Sequence, residues 1–146
     1  MQLGISLCVD TVGRKRILVI DDEPDLVDVL TIGLARLGYD VVAVNEPQAA
    51  LAVFASSPDR WDVVVSDQVM PHMKGNALFA RLKALRPSLR FILCTGFSDG
   101  QSEAAALASG IDAFFLKPVP AERIAGAVRD MLDRPMPRLD AAAGEG

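Results

Sequence analysis

The chain has 146 residues, enough for one domain with a sizeable core, and its composition excludes several classes of protein. Apolar residues make up 51% and aromatic residues only 5%, so the predicted core is mostly aliphatic. The net charge of −4 argues against non-specific nucleic-acid binding, which depends on clustered Lys and Arg. Two cysteines make a disulfide framework improbable and fit a reducing compartment. The longest apolar run is far shorter than the roughly 20 residues of a membrane span. We therefore predict a cytoplasmic protein without a membrane or nucleic-acid partner.

The two ends of the chain lack the pattern of a folded domain. Residues 1–15 are mildly apolar but contain Asp10 and lack the basic start of a signal peptide. A short extra strand, the remnant of an upstream domain and a cloning junction all fit them. Residues 134–146 contain two prolines, several alanines and two glycines, which predicts a disordered tail. The expected organisation is an extension over 1–15, one domain over 16–133 and a tail over 134–146.

Apolar strands and helical patterns alternate five times between these ends. Ile17–Ile20 is the first predicted strand, and Pro24 suits the first turn of the following helix. Three consecutive valines, 63–65, are typical of a strand buried on both faces of a parallel sheet. The other strands are predicted over 40–44, 91–95 and 113–116, and the other helices over 47–56, 75–86, 98–109 and 121–132. The first helix carries one apolar stripe, formed by residues at spacings of three and four: Leu26, Val27, Leu30, Leu34 and Leu37.

This alternation predicts an α/β fold, a doubly wound parallel sheet with helices on both faces. Four of the five strands end at a chemically capable side chain. Asp21 and Asp22 follow the first strand, Asp67 ends the third, Thr95 ends the fourth and Lys117 follows the fifth. Ligands of open α/β sheets bind at the carboxyl ends of the strands. We therefore expect these five residues to share one site.

The charges of these residues indicate the chemistry of the site. Three carboxylates crowded together are costly without a cation, and oxygen ligands with open positions suit Mg²⁺. The positive charge of Lys117 and the hydroxyl of Thr95 can neutralise and bind a phosphoryl group. A carboxylate among them can act as the nucleophile and form an aspartyl phosphate.

With these residues in place, the sequence resembles the receiver domain of bacterial two-component response regulators. The resemblance extends over about Arg16 to Leu132, and the order and spacing of its motifs are specific. It implies a flavodoxin-like five-stranded sheet of order 2-1-3-4-5. The matching motifs are Ile17-Leu18-Val19-Ile20-Asp21-Asp22-Glu23, Ser66-Asp67-Gln68-Val69-Met70-Pro71-His72-Met73-Lys74-Gly75, Cys94-Thr95-Gly96 and Phe114-Phe115-Leu116-Lys117-Pro118.

The resemblance also implies a role for each site residue. Asp67 accepts a phosphoryl group from a phosphohistidine on a histidine kinase or a histidine phosphotransfer protein. Asp22 and Asp67 ligate Mg²⁺ directly, Asp21 does so mainly through water, and the carbonyl of Val69 is a further ligand. Lys117 contacts the phosphoryl group. The domain would be a switch that catalyses only its own phosphorylation and dephosphorylation, and a homodimer stays open.

The resemblance implies that a second set of residues controls the conformational switch and the lifetime of the phosphorylated state. Thr95 moves to bind the phosphoryl group while Phe114 turns inward, which changes the face formed by the fourth helix, the fifth strand and the fifth helix. Phe114 stands where Tyr is commoner, so the switch is expected to be biased or weaker. Val69 and Phe97 lie two residues past Asp67 and Thr95. Neither side chain can hydrogen-bond the attacking water, which predicts slow loss of phosphate.

Other readings stay open at this point. The domain can stand alone or belong to a hybrid histidine kinase, which the run from Thr95 to Asp99 resembles. A flavodoxin-like binding module or an Mg²⁺-dependent phosphohydrolase is the alternative class. The three acids after the first strand would repel a phosphate without a metal, which argues against a flavodoxin-like module. A phosphohydrolase of the aspartyl-phosphate type usually has a second aspartate two residues after its nucleophile, where this chain has Val69. Glu23 is either a neighbour of the metal or an acid placed at a helix start. We expect His72 to be an exposed loop residue and Cys94 to pack in the core.

Overall fold

A computed structural model describes residues 15–96 and 103–133. The predictions for residues 1–14, for the segment 97–102 that contains Phe97, and for the tail 134–146 lie outside these residues. None of the described helices is long and apolar enough to cross a bilayer. The strands are β1 (Arg16–Ile20), β2 (Asp40–Val44), β3 (Val63–Asp67), β4 (Phe91–Thr95) and β5 (Ala113–Leu116). The helices are α1 (Pro24–Arg36), α2 (Pro47–Ser56), α3 (Gly75–Leu85), α4 (described over Glu103–Ala108) and α5 (Ala121–Asp133).

The five strands form a parallel sheet in the order β2-β1-β3-β4-β5. This order confirms the predicted doubly wound, flavodoxin-like fold. β1, β3 and β4 are almost entirely buried, whereas every described residue of the edge strand β2 is only half-buried. The uninterrupted valines of β3 are thus explained by its central position, since helices cover both of its faces.

An apolar cluster lies on each face of the sheet. Successive residues of β1 point to opposite faces, so Leu18 and Ile20 join one cluster while Ile17 and Val19 join the other. Residues of α2, α3 and α4 pack in the first cluster, and residues of α1 and α5 pack in the second. The sheet is therefore held between two helical layers, which leaves the ends of its strands to form the site.

The apolar stripe predicted on α1 is narrower than expected. Val27 and Leu34 are buried and Leu30 is half-buried, but Leu26 and Leu37 are 41% and 49% exposed. Leu37 lies past the last helical residue as the C-cap. α1 approaches α5 most tightly at Gly33, where a Cβ atom would lie 2.5 Å from the Cβ of Ala121. Leu26 and Leu37, although part of the predicted stripe, therefore do not belong to the core.

Candidate functional site

The strand register brings three aspartates together at the carboxyl edge of the sheet. Ile20 pairs with Ser66, so Asp21 at the end of β1 lies beside Asp67 at the end of β3. Oxygen atoms of Asp21, Asp22 and Asp67 all lie within 4.8 Å of one another. Asp67 is 5% exposed, which leaves its carboxylate little solvent to screen the neighbouring charges.

The turn after β1 fixes the orientation of Asp21. The backbone N–H of Glu23 donates to Oδ1 of Asp21 at 3.0 Å, a local bond that aspartate often makes two residues ahead in a turn. The backbone N–H of Asp21 donates to the carbonyl of Val44 at 3.3 Å. Pro24 then begins α1, as expected for a residue without an N–H group. The exposed carboxylate of Glu23 lies 4.0 Å from Nζ of Lys117, so Glu23 borders the site and also precedes a helix.

Lys117 places its ammonium group between two of these aspartates. Its Nζ lies 3.3 Å from Oδ2 of Asp21 and 3.2 Å from Oδ1 of Asp67. Its backbone N–H donates to the carbonyl of Thr95 at 2.8 Å, which ties the ends of β4 and β5 together. The following peptide bond, Lys117–Pro118, is cis. The arrangement holds one positive charge against two of the three negative charges.

Burial and repulsion act together on the acid–base properties of Asp67. Burial, followed by the charge of Asp21, raises the pKa of Asp67 from 3.8 to about 6, although the attraction of Lys117 lowers it. Burial lowers the pKa of Lys117, but Asp21 and Asp67 outweigh burial and hold that pKa above its ordinary value. Lys117 therefore stays charged, but its single positive charge does not offset the effects of burial and of Asp21 on Asp67.

The loop between β3 and α3 lies directly against Asp67. Val69 is 47% exposed, and Met70 is buried. His72 is exposed, as predicted, and adopts a left-handed conformation with φ of 74°. A Cβ atom on Gly75 would collide with the carbonyl oxygen of Asp67, so only glycine permits this approach. The sequence marked Gly75 as a helix start but carried no signal of this contact.

Thr95 and Phe114 lie outside the aspartate cluster. Thr95 is completely buried, and its hydroxyl donates to the carbonyl of Gly96 at 3.3 Å. Phe114 is half-buried and packs against the first apolar cluster. It also lines a cleft of about 600 Å³ together with Leu116 and Arg123, on the surface formed by α4, β5 and α5.

Cys94 belongs to the core, as predicted. It is 6% exposed and packs in the second apolar cluster. Burial raises the pKa of its thiol to about 12, so the thiol stays neutral at physiological pH. Cys94 is therefore unsuited to act as a nucleophile, because the reactive form of cysteine is the thiolate.

A cleft of about 680 Å³ opens beside the aspartates and Lys117. Its polar end contains Asp21, Asp67 and Lys117, and its apolar wall includes Leu26 and Val29 of α1. The exposed position of Leu26 is explained by this cleft, because the side chain lines it instead of the core. A reactant can therefore approach Asp67 along an apolar wall.

Comparison of the sequence with models of protein families identifies the family to which the chain belongs. The model of the response regulator receiver domain matches residues 17–129. The chain belongs to this family. Receiver domains are phosphorylation-dependent signalling switches of two-component systems and not enzymes with a separate substrate. They pair with histidine kinases and bind Mg²⁺ at an acidic cluster such as the one formed here by Asp21, Asp22 and Asp67.

Named relatives share the receiver domain within longer proteins. The chain is 31% identical over 124 residues to the transcriptional regulatory protein GlrR of Escherichia coli, covering 85% of this chain and 28% of that protein. It is 34% identical over 138 residues to the C4-dicarboxylate transport transcriptional regulatory protein DctD of Rhizobium meliloti, covering 89% of this chain and 30% of that protein. The chain thus spans less than a third of the length of these two relatives.

Solved structures of response regulator proteins share this fold. A receiver domain protein from Clostridium thermocellum is 28% identical, with a TM-score of 0.78 and coverage of 82% of this chain and 95% of that one. The response regulator TrrA of Thermotoga maritima, solved in complex with Mg²⁺ and BeF, is 27% identical with a TM-score of 0.70. That comparison covers 80% of this chain and 98% of TrrA.

Proposed function

We propose that this receiver domain accepts a phosphoryl group on Asp67 from the phosphohistidine of a histidine kinase or a histidine phosphotransfer protein. The observation that supports the proposal most strongly is the placement of a buried carboxylate beside Asp21, Asp22 and the ammonium group of Lys117. In the proposed step a carboxylate oxygen of Asp67 attacks phosphorus. The bond from phosphorus to the histidine nitrogen breaks, and its electron pair stays on the imidazole.

The chemistry of the donor set fits Mg²⁺. The pKa of Asp67 is raised to about 6 because its charge is buried and opposed by Asp21, and a divalent cation would remove that penalty. We propose that Asp22 and Asp67 hold the ion directly, that Asp21 holds it mainly through water, and that the Val69 carbonyl is a further ligand. Carboxylate and carbonyl oxygens are the ligands that Mg²⁺ prefers. When bound, Mg²⁺ supplies positive charge that neutralises the phosphoryl oxygens.

Lys117 supplies the second positive charge. Its Nζ already lies 3.2 Å from Asp67, so it can pair with a phosphoryl oxygen after a small movement of its side chain. Phosphate is lost by hydrolysis: a water attacks phosphorus, the bond to Asp67 breaks, and inorganic phosphate leaves. We propose that the domain catalyses only these two reactions on itself, and that Val69 and Phe97 slow the second one.

The apolar wall of the cleft supports a docking site for the phosphodonor. Leu26, Val29 and Ile32 on α1 are 41%, 68% and 53% exposed, and Leu26 and Val29 line the cleft that leads to Asp67. A helix that carries the phosphohistidine would bury these side chains while bringing its imidazole to the carboxylate. The apolar wall would therefore bind the phosphodonor while the acidic cluster receives its phosphoryl group.

The output is proposed to pass through Thr95 and Phe114. A phosphoryl group on Asp67 gains bonds to Thr95 and Lys117 in only one of two arrangements, and this difference biases the surface of α4, β5 and α5. Amide chemical shifts recorded with and without beryllofluoride test this proposal. Shifts should extend beyond the loops at Asp67 to Phe114, and shifts confined to those loops would contradict it.

The proposal extends to the organisation, location and partners of the whole protein. We propose a domain over 16–133 with an extension over 1–15 and a tail over 134–146, and a cytoplasmic location. The domain either stands alone or belongs to a hybrid histidine kinase, and it can form a homodimer. The named relatives are transcriptional regulators, but this chain has a net charge of −4, and we propose that it does not itself bind nucleic acid.

Incubation with acetyl phosphate and Mg²⁺ tests the proposed function. Intact-mass measurement should show the gain of one phosphoryl group by the wild-type protein, and none by Asp67→Asn. EDTA should suppress the gain, because the crowded acids and the phosphoryl group need the cation. Labelling of Asp67→Asn as fast as the wild type would contradict the assignment of the acceptor.

A further inference from the structure

Gln68, which follows Asp67, is 2% exposed and accepts two hydrogen bonds from the start of α3. The first N–H groups of a helix have no partner within the helix. Lys74, the residue before α3, makes no side-chain cap hydrogen bond. Instead, the carbonyl of Gln68 accepts from the N–H of Gly75 at 2.8 Å, and its side-chain Oε1 accepts from the N–H of Asn76 at 2.9 Å. Gln68 thus caps a helix that begins seven residues later.

The same residue is fixed to the sheet. The backbone N–H of Gln68 donates to the carbonyl of Cys94 at 2.9 Å, which extends the pairing of β3 with β4. Residues 69–74 are therefore a loop whose two ends are tied to one buried residue. This loop contains Val69, the proposed carbonyl ligand, and His72 in its left-handed conformation.

We infer that Gln68 is a positioning residue for the metal: its side-chain amide closes the loop 69–74 and thereby holds the Val69 carbonyl towards the site. The inference rests on the proposed function for the identity of the metal. Partners that orient metal ligands typically change metal affinity by about 10- to 100-fold when they are lost. For the loss of one neutral hydrogen bond we expect the lower end, about tenfold.

Gln68→Met tests the inference, because methionine has a similar size but no comparable acceptor. The matched control is Gln48→Met, the same substitution at an exposed position of α2. Two measurements are made: hydrogen exchange of the Asn76 amide in EDTA, and the Kd for Mg²⁺ by calorimetry. Gln68→Met should speed exchange at Asn76 and weaken Mg²⁺ binding by about tenfold, whereas Gln48→Met should change neither. Gln68→Glu keeps an acceptor, favoured by its charge at a helix N-terminus, and should keep the amide protected.

The outcomes separate the inference from the proposed function. Wild-type protein that binds no Mg²⁺ would overturn both. Wild-type protein that binds Mg²⁺ with the same Kd as Gln68→Met, or an Asn76 amide that exchanges equally fast in both, would overturn the inference alone. An Asn76 amide as unprotected in Gln68→Glu as in Gln68→Met would also overturn it, since packing would then hold the loop. If Gln68→Met does not fold, Asn76→Pro removes the donor in the first helical turn, where proline is tolerated. Unchanged Mg²⁺ affinity in that variant would equally overturn the inference.

Discussion

The carboxylate of Asp67 should destabilise the metal-free domain at neutral pH, and Asp67→Asn should remove that cost. Burial and the charge of Asp21 raise its pKa from 3.8 to about 6 in the folded protein, while the unfolded chain keeps it near ~3.9. The folded state therefore binds a proton more tightly than the unfolded state. Above about pH 6 the charged carboxylate costs the folded state about 3 kcal/mol, and the cost disappears as the pH falls below about 4.

Asp67→Asn, which resembles the protonated acid, is therefore expected to raise the free energy of unfolding by about 3 kcal/mol at about pH 7.5. The corresponding rise in Tm is roughly 10 °C for a domain of this size. Urea unfolding in EDTA, repeated at about pH 7.5 and pH 4, measures the difference between the variant and the wild type. Asp59→Asn, on the exposed turn before β3, makes the same change of charge at the other end of the strand and serves as the control. A variant no more stable than the wild type at neutral pH, or one whose advantage persists unchanged at pH 4, would refute the reasoning.

Two further substitutions test the loop and the lifetime of the phosphate. Gly75→Ala should destabilise the domain by about 1–3 kcal/mol, because its methyl group would displace the Asp67 carbonyl. Gly126→Ala is the control, because a Cβ atom there would meet only a guanidinium nitrogen at 4.0 Å, and it should not lower the Tm in thermal unfolding. An equal loss of Tm in both variants would contradict the explanation by the close approach of Gly75 to the Asp67 carbonyl. The double variant Val69→Asn, Phe97→Glu should lose its phosphate faster than the wild type by up to about 10²-fold. Decay of the labelled protein measures this rate, and an equal or longer lifetime would disprove the proposed role of these two side chains.

The placement of the site could be predicted because it depends on topology. Parallel strands end at one edge of a sheet, so the residues at the carboxyl ends of β1, β3 and β5 could be expected on the same edge once the alternation of strands and helices was recognised. Asp67 and Lys117 meet in this way, at 3.2 Å. The apolar stripe of α1 was less predictable, because periodicity shows which residues share a helix face but not how wide the packed interface is. Leu26 lines the cleft beside the site and not the core.

The contacts around the loop after β3 could not be predicted from the sequence. Gln68 reads as an ordinary polar residue at a strand end, and its two bonds to α3 exist only because the chain returns after residues 69–74. The collision that a side chain at Gly75 would make with Asp67 likewise depends on this return. Hydrogen bonds formed across a loop leave no periodic signal, whereas strands and helices do.

Reductive trapping of the phosphorylated protein tests the central claim most directly. Borohydride converts an aspartyl phosphate to homoserine, and peptide mass spectrometry then identifies the position that carried the phosphate. After treatment with acetyl phosphate and Mg²⁺, we predict homoserine at position 67 in the wild-type protein and at no position in a sample treated with EDTA. Homoserine at position 21 or 22 with Asp67 unchanged would contradict the assignment of Asp67 as the phosphoacceptor.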